Sequence, residues 1–241
     1  MSFMMRRGIV SSGIAPSTFS ASTATFNGAN KYFLSTGNLV VSDTDSYTIG
    51  FWIKNSSTDH QNLFSVGGIS MTFEINEGGT TGKIAWCNTL KCQIITGQTV
   101  LNDGNWHKVH ASYNDATSQL HTYIDGSEVG SSDTATGSAT NGIVAIGRRV
   151  GDESQYAQGT GSSYTFWNSA LSDAEILADY HLGVALCTDL IVPTPGHSWD
   201  LATYDTKNAT DALVDNIGSL DLTNFGTTIF DGTGLTVECT P

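Results

Sequence analysis

The stretch from Leu101 to Gly130 reads LNDGNWHKVHASYNDATSQLHTYIDGSEVG. It alternates apolar and polar residues, turns at Asn114-Asp115-Ala116-Thr117, alternates again and turns at Asp125-Gly126. A period of two puts successive side chains on opposite faces of a strand, and Asn, Asp and Gly supply the turns. The spacing predicts a β-hairpin. With 114–117 as its loop, Tyr113 faces Ser118, Ala111 faces Leu120, His110 faces His121 and Val109 faces Thr122. One face carries His107, Val109, Ala111, Tyr113, Leu120 and Ile124 and is the better core face. The other carries Trp106, Lys108, His110, His121, Tyr123 and Asp125.

The same pattern runs outward in both directions. Tyr47–Lys54 reads YTIGFWIK, with Ile49, Phe51 and Ile53 on one face. In Met71–Asn76, Met71, Phe73 and Ile75 point inward and Thr72, Glu74 and Asn76 outward. Lys31–Leu34, Asn62–Val66, Lys83–Cys87, Cys92–Thr96, Ile143–Gly147 and Tyr164–Trp167 are further strands. Many short strands parted by Gly, Asn and Asp argue for an all-β sandwich or jelly roll. One helix interrupts them, LSDAEILADYHLG. Ser172 is its N-cap, Glu175 completes a capping box, Ile176, Leu177 and Tyr180 form an apolar stripe, and Gly183 ends it. It is expected to be about two turns long and to lie against the sandwich edge. Pro193 and Pro195 then mark a linker, and the tail after them is too short for a sandwich of its own.

Composition bounds the partners. A net charge of −13 with only 10 Lys and Arg disfavours nucleic acid, whose phosphates require a basic patch, and anionic membranes likewise. No apolar run approaches the ~18 residues that cross a bilayer, so membrane insertion is not expected. The start, MSFMMRRGIVSSGIAPSTF, is a poor signal peptide because Ser12 and Gly13 break its apolar stretch; it reads as an extension or arm. Cys87, Cys92, Cys187 and Cys239 contain no CxxC pair, which argues against a zinc knuckle. Cys87 and Cys92 would stand opposite each other across a four-residue hairpin loop, at bridgeable distance. Without a secretory signal, free thiols are the expectation for all four.

The order of YTIGFWIKNSS, LFSVGG, DGNWHKV, YIDG, AIGRRV and FWNSALSDAEI resembles a laminin-G-like domain of the concanavalin A-like lectin/glucanase superfamily, over roughly residues 24–183. The resemblance implies a concanavalin A-like jelly-roll sandwich of two antiparallel sheets. It also implies a sugar-binding or adhesive role, such as members play in extracellular proteins, beside carbohydrate-active enzymes and on phage virions. Two departures stand out. Some members hold calcium through acidic residues just before the strand Phe166-Trp167-Asn168. Here those positions read Gly161-Ser162-Ser163-Tyr164, which argues against a calcium site there. The family's opening strand is also missing from the N-terminus. A similar pattern sits instead at Trp199-Asp200-Leu201 and at 215–223, as if the order were circularly permuted. The expected division is therefore an arm over 1–23, the jelly roll over 24–183, and a segment over 184–241 that adds strands to the same or a neighbouring sandwich.

Catalytic chemistry is not evident. Glycoside hydrolysis needs two carboxylates facing one cleft. The nearest match is Glu74-Ile75-Asn76-Glu77, where Glu74 reads as a solvated strand residue and Glu77 as the start of a turn. His110 opposite His121 could hold a metal, but with Lys108 and Tyr123 flanking them a polar outer-face pair is the better reading. His107 is placed on or near the core, and Asp103-Gly104 and Asp125-Gly126 are turns. The sequons Asn55-Ser56-Ser57 and Asn208-Ala209-Thr210 carry no weight without secretion. The loop Arg148–Gln158 holds Asp152, Glu153 and Tyr156, an aromatic platform with carboxylates of the kind sugar sites use, and is the candidate ligand-binding loop.

The expectation is a non-catalytic binding or structural module on a virion surface, a capsid decoration or tail fibre, attached through its arm or tail and displaying a carbohydrate-binding face. Its partners would be surface carbohydrate and capsid or tail proteins, and it would be a homo-oligomer, a trimer for instance. No cofactor is required, calcium being the one ion the resemblance raises. A secreted or cell-surface lectin and a divergent glycan-degrading enzyme are the alternatives.

Overall fold

A computed structural model of the chain describes residues 18–42, 44–67, 71–79, 81–88, 91–94, 101–132, 140–151, 154–182, 195–199, 212–213, 222–225 and 229–238. In chain order the elements are β1 Thr18–Asn27, β2 Tyr32–Val41, β3 Tyr47–Lys54, β4 Gln61–Val66, β5 Met71–Ile75, β6 Ile84–Asn88, β7 Lys91–Ile94, β8 Trp106–Asn114, β9 Gln119–Ile124 and β10 Ser127–Ser132. There follow β11 Thr140–Ile146, β12 Gln158–Trp167, α1 Asp173–Leu182, β13 His197–Trp199, β14 Ala212–Leu213, β15 Leu222–Phe225 and β16 Ile229–Glu238. They form two antiparallel sheets. One runs β10-β9-β8-β3-β12-β1-β16, with β13 on the second half of β12; the other runs β14-β15-β2-β11-β4-β5-β6-β7. This is a jelly-roll sandwich. The strands after α1 pair within the same chain: β16 on β1, β13 on β12 and β15 on β2.

The core is what the alternation dictates. Ile49, Phe51, Val109, Ala111 and Phe166 from the first sheet meet Phe33, Phe64, Phe73, Ile75, Val144 and Ile146 from the second, each at most 1% exposed. Aromatic rings join the layers: Phe51 meets Phe73 edge-on at 5.1 Å, and Tyr47 meets Trp86 at 6.1 Å. Edge-on contacts bring the positive rim of one ring to the negative face of the other, a favourable geometry beyond area burial.

The hairpin that decides the fold closes two residues away from the expected register. Asn114 pairs with Gln119, Tyr113 with Leu120, Ser112 with His121 and His110 with Tyr123. The loop is Asp115–Ser118: Ser118 N–H donates to the Asp115 carbonyl, Ala116 N–H to the Asn114 side chain, and Ser118 takes φ 52°. A shift of two preserves parity, so the core face is as expected while the cross-strand partners differ. The expected His110–His121 pair is therefore absent. His110 is fully buried on Asp179, and His121 bonds Glu128 at 2.8 Å.

The capping box forms: Ser172 N–H and Oγ–H each donate to Glu175 at 2.7 Å, and Glu175 N–H returns to Ser172 Oγ. Helix α1 lies on the outer face of the first sheet rather than at its edge. Ile176 and Ala178 are buried there, while Leu177, expected inside, is 42% exposed. Tyr123, Trp167, Leu171 and Ile176 make a second small core beneath it, and Trp52 packs on Tyr180. Gly126, at φ +77°, permits this approach, since a Cβ there would lie 2.8 Å from Leu177. The polar face of the hairpin is thus roofed over. Lys108 Nζ and His110 Nε2 reach the same oxygen of Asp179, at 3.0 and 2.8 Å. Burial alone would raise the Asp179 carboxyl, but the Lys108 ammonium and the His110 hydrogen bond overcome it and hold it well below the usual carboxylate range. Burial pushes His110 down despite Asp179, so the ring is neutral and donates Nε2–H.

His107 is at the core margin as expected, held between Asp125 at 2.8 Å and Asp103 at 3.2 Å, and the hydrogen bond to Asp125 raises it. Cys87 corrects the expectation of free thiols. It is disulfide-bonded, and in the ladder it stands opposite Cys92. Cys187 and Cys239 lie outside the described residues.

Candidate functional site

Three connections meet at one end of the sandwich and leave an open groove of about 410 Å³ between them. The β1–β2 turn contributes Asn27 and Gly28, the β3–β4 loop Asp59, His60 and Gln61, and the segment entering β12 Gln155, Tyr156 and Gln158. Each connection is fixed by its own hydrogen bonds. Asn27 Oδ1 accepts from the Ala29 and Asn30 amides at 3.1 Å, which closes its turn, and Gly28 N–H donates to the Ala157 carbonyl at 2.8 Å. Asn62 N–H donates to the Gln155 carbonyl, locking the second connection to the third.

Gln61 is the organising side chain. It is 1% exposed, and its Oε1 accepts from Asn55 Nδ2 at 2.9 Å and from Gln158 N–H at 2.8 Å. Those contacts fix the amide so that Nε2 is left without a partner; Gln155 Oε1 in the same wall is likewise unsatisfied. Buried amide atoms without partners are uncommon in folded proteins, and here both belong to residues lining the groove. Gln155 also holds φ 55°, a strained setting for a residue with a Cβ. Asn55, the first residue of a sequon, is 1% exposed and donates to Gln61 and the Gln158 carbonyl, so it is a scaffold residue and no glycan acceptor.

Tyr156 extends the groove into a row of rings. Tyr156 lies 6.0 Å from Tyr32, Tyr32 stacks on Phe225 at 5.1 Å, and the Arg148 guanidinium sits 4.1 Å over the Tyr32 ring. Phe225 at the far end is 40% exposed. Of the expected binding residues, Tyr156 lines the groove, and Asp152 and Glu153 lie outside the described residues.

Glu74 departs from expectation. It is 4% exposed rather than solvated, with Oε2 2.8 Å from His60 Nε2 and Oε1 3.3 Å from Asn62 Nδ2; Glu77 approaches the same histidine nitrogen at 3.9 Å. The polar stretch 55–62 that wraps this end carried a sequence signal, its run of amide, hydroxyl and carboxylate residues between two strands. Nothing in it shows that His60 turns toward a strand residue 14 positions on. At Gly161–Tyr164, Ser162 and Tyr164 are buried, and among the described residues the group of His, Cys, Asp and Glu with ligand atoms in metal range is His60, Glu74 and Glu77.

A two-sheet antiparallel sandwich with a polar, tyrosine-bearing groove between its loops defines a lectin-like fold. The chain belongs to the Laminin_G_3 family of the concanavalin A-like lectin/glucanases superfamily, whose model matches residues 27–177. Among solved structures it is similar to a Bacteroides ovatus protein described as a candidate carbohydrate binding protein, with 15% identity, TM-score 0.69, 92% of this chain covered and 62% of that one. It is also similar to the native heptameric SAP-like pentraxin of Limulus polyphemus, with 16% identity, TM-score 0.56, and 67% and 82% covered. The full extracellular region of zebrafish Gpr126/Adgrg6 matches at 13% identity and TM-score 0.56, over 87% of this chain and 26% of that one. At these identities the likeness is one of fold. No curated protein matches the chain.

Proposed function

We propose that this protein is a non-catalytic recognition module that binds carbohydrate in the groove lined by Asn27, Asp59, Gln61, Gln155, Tyr156 and Gln158. The observation that carries this reading is the pair of buried, unpartnered amide atoms on Gln61 and Gln155 beside an aromatic ring. Sugar hydroxyls both donate and accept, so they complement amide groups, and a sugar's apolar face stacks on a ring. Asp152 and Glu153 belong to the same loop as Tyr156, and we assign them to the same ligand. A hydrolytic role is disfavoured by Glu74: its Oε2 is taken by His60, which leaves no face for a sugar. The body over 24–183 would carry recognition, with 184–241 contributing strands; the expected arm over 1–23 overlaps β1, which begins at Thr18 and pairs with β16, so an arm would end before Thr18.

The setting we favour is the surface of a virion, as a capsid decoration or tail fibre in a homo-oligomer, in contact with capsid or tail proteins and with surface carbohydrate. An acidic, Lys-poor sandwich whose charge disfavours nucleic acid and anionic membranes suits it. A secreted or cell-surface lectin is the second reading, favoured by the Cys87 disulfide, because such bonds persist in oxidising surroundings. Protein mass spectrometry of purified particles against culture medium separates the two.

The binding test uses the full chain on a glycan array, followed by calorimetry with the best binder. Tyr156→Ala is expected to weaken that binder about tenfold, the loss of a stacking contact near 1.4 kcal/mol. An array without binders, or an unchanged affinity in the variant, removes the proposal.

A further inference from the structure

His60, one of the groove-lining residues, also belongs to a cluster whose chemistry can be tested without any sugar. We infer that His60 Nε2, Glu74 Oε2 and Glu77 Oε2 form a binding site for one divalent cation of the zinc or manganese class. The three ligand atoms all lie within 4.8 Å of one another. A tetrahedral ion with ligands at about 2.1 Å needs ligand–ligand edges of about 3.4 Å. The histidine nitrogen is 2.8 Å from Glu74 and 3.9 Å from Glu77, so the two edges bracket that value and small side-chain rotations meet it.

The supports differ in stiffness. Glu74 is in mid-strand on β5, and its register partner is Asn62 on β4. Asn62 is fully buried; its Nδ2 is 3.3 Å from Glu74 Oε1, and its Oδ1 has no partner. That amide steadies one carboxylate oxygen and leaves Oε2 to face the histidine, the outer-sphere arrangement that orients metal ligands. His60 and Glu77 come from the loop before β4 and from the 3₁₀ turn Glu77–Gly79, and their side chains are 32% and 27% exposed. The ion therefore has an entry path and a position left for water. Charge points the same way: a buried and a half-buried carboxylate share one imidazole, and a divalent cation balances the pair. The imidazole selects the class. Calcium and magnesium take oxygen ligands, whereas one nitrogen with two carboxylates suits zinc or manganese.

The test is calorimetry on the full chain after EDTA dialysis, titrated with zinc chloride, manganese chloride or calcium chloride. One zinc or manganese ion per chain is expected, bound more tightly than calcium, with a rise in melting temperature on addition. Glu77→Gln and His60→Gln are each expected to weaken it at least about tenfold. Glu77 is exposed enough for its variant to keep the fold, which circular dichroism checks. His121→Gln, in the exposed His121–Glu128 pair, is expected to change nothing. Absence of binding, affinity unchanged from the parent in both ligand variants, or calcium binding as tight as zinc overturns the site.

Discussion

Asp179→Ala is expected to lower unfolding stability by about 3–5 kcal/mol, read as a fall in urea midpoint at unchanged slope. The magnitude comes from what is left behind. Lys108 is 3% exposed and its ammonium lies 3.0 Å from Asp179. Without the carboxylate a cation stays buried beside a neutral ring and has lost its counter-charge. His110 loses its acceptor as well, and its Nδ1 is already unpartnered. The pair itself is a weaker contributor than its disruption suggests, because burying both charges is costly. Lys108→Met combined with Asp179→Leu is therefore expected to recover most of the loss. If Asp179→Ala costs under about 1 kcal/mol, the helix does not roof the sheet as described.

The two histidines of β8 give opposite pH dependences. His110 is held below its ordinary value, so the unfolded chain binds its proton first. Its contribution is complete above the unfolded value near 6.5 and is lost as pH falls below it. His107 is raised by Asp125, so its contribution is complete below about 6.5 and is lost as pH climbs through the raised folded value. The Asp179 contribution, from a depressed carboxyl, is present above about 3.9 and disappears only in stronger acid. His107→Gln is expected to remove the alkaline-side decline that begins above about pH 6.5 and leave the acid-side decline. Urea midpoints across pH 5–8 report both, and an unchanged profile contradicts the Asp125 contact.

What the sequence conveyed, and what it withheld, follows from the range of each interaction. Alternation within eight or ten residues is local, so β3, β5 and β8 and the inward set Phe51, Phe73 and Val109 were legible. The capping box was legible for the same reason. Register depends on which residue ends the strand, and Ser118 at φ 52° closes the loop one position later than Asn-Asp-Ala-Thr suggests, which moves every cross-strand partner by two. The outer face misled further. Lys108, His110 and Glu74 look solvent-bound because they are polar, yet a charge is buried whenever its partner arrives from elsewhere. Asp179 arrives from 69 residues beyond His110. Strand β1, TFSASTATFN, was missed because Ser, Thr and Ala carry little contrast between faces. In the groove Tyr156 stood out as an aromatic in a polar loop. Gln61 did not, because its role is set by Asn55 and Gln158 converging on one oxygen.

Phe73→Ala is expected to cost about 3–5 kcal/mol, the usual range for removing a buried aromatic ring and leaving its space unfilled. Phe73 is 0% exposed and touches Phe51 at 5.1 Å and Trp86 at 5.8 Å, both edge-on, so two rings would lose their partner. Phe51→Ala should cost as much, and the double variant should fall short of the sum by about 0.5–1.5 kcal/mol, the worth of their contact. Additive losses would mean that the two sheets do not interlock through this pair. The position also separates stability from recognition. Phe73 faces the core while Glu74, the next residue, faces Asn62 and His60. Below its melting temperature Phe73→Ala is expected to keep the zinc affinity of the parent chain, whereas Glu77→Gln should keep the parent's midpoint and lose the ion. Variants four residues apart would then fail in different assays, because β5 buries Phe73 in the core while the turn after the strand carries Glu77.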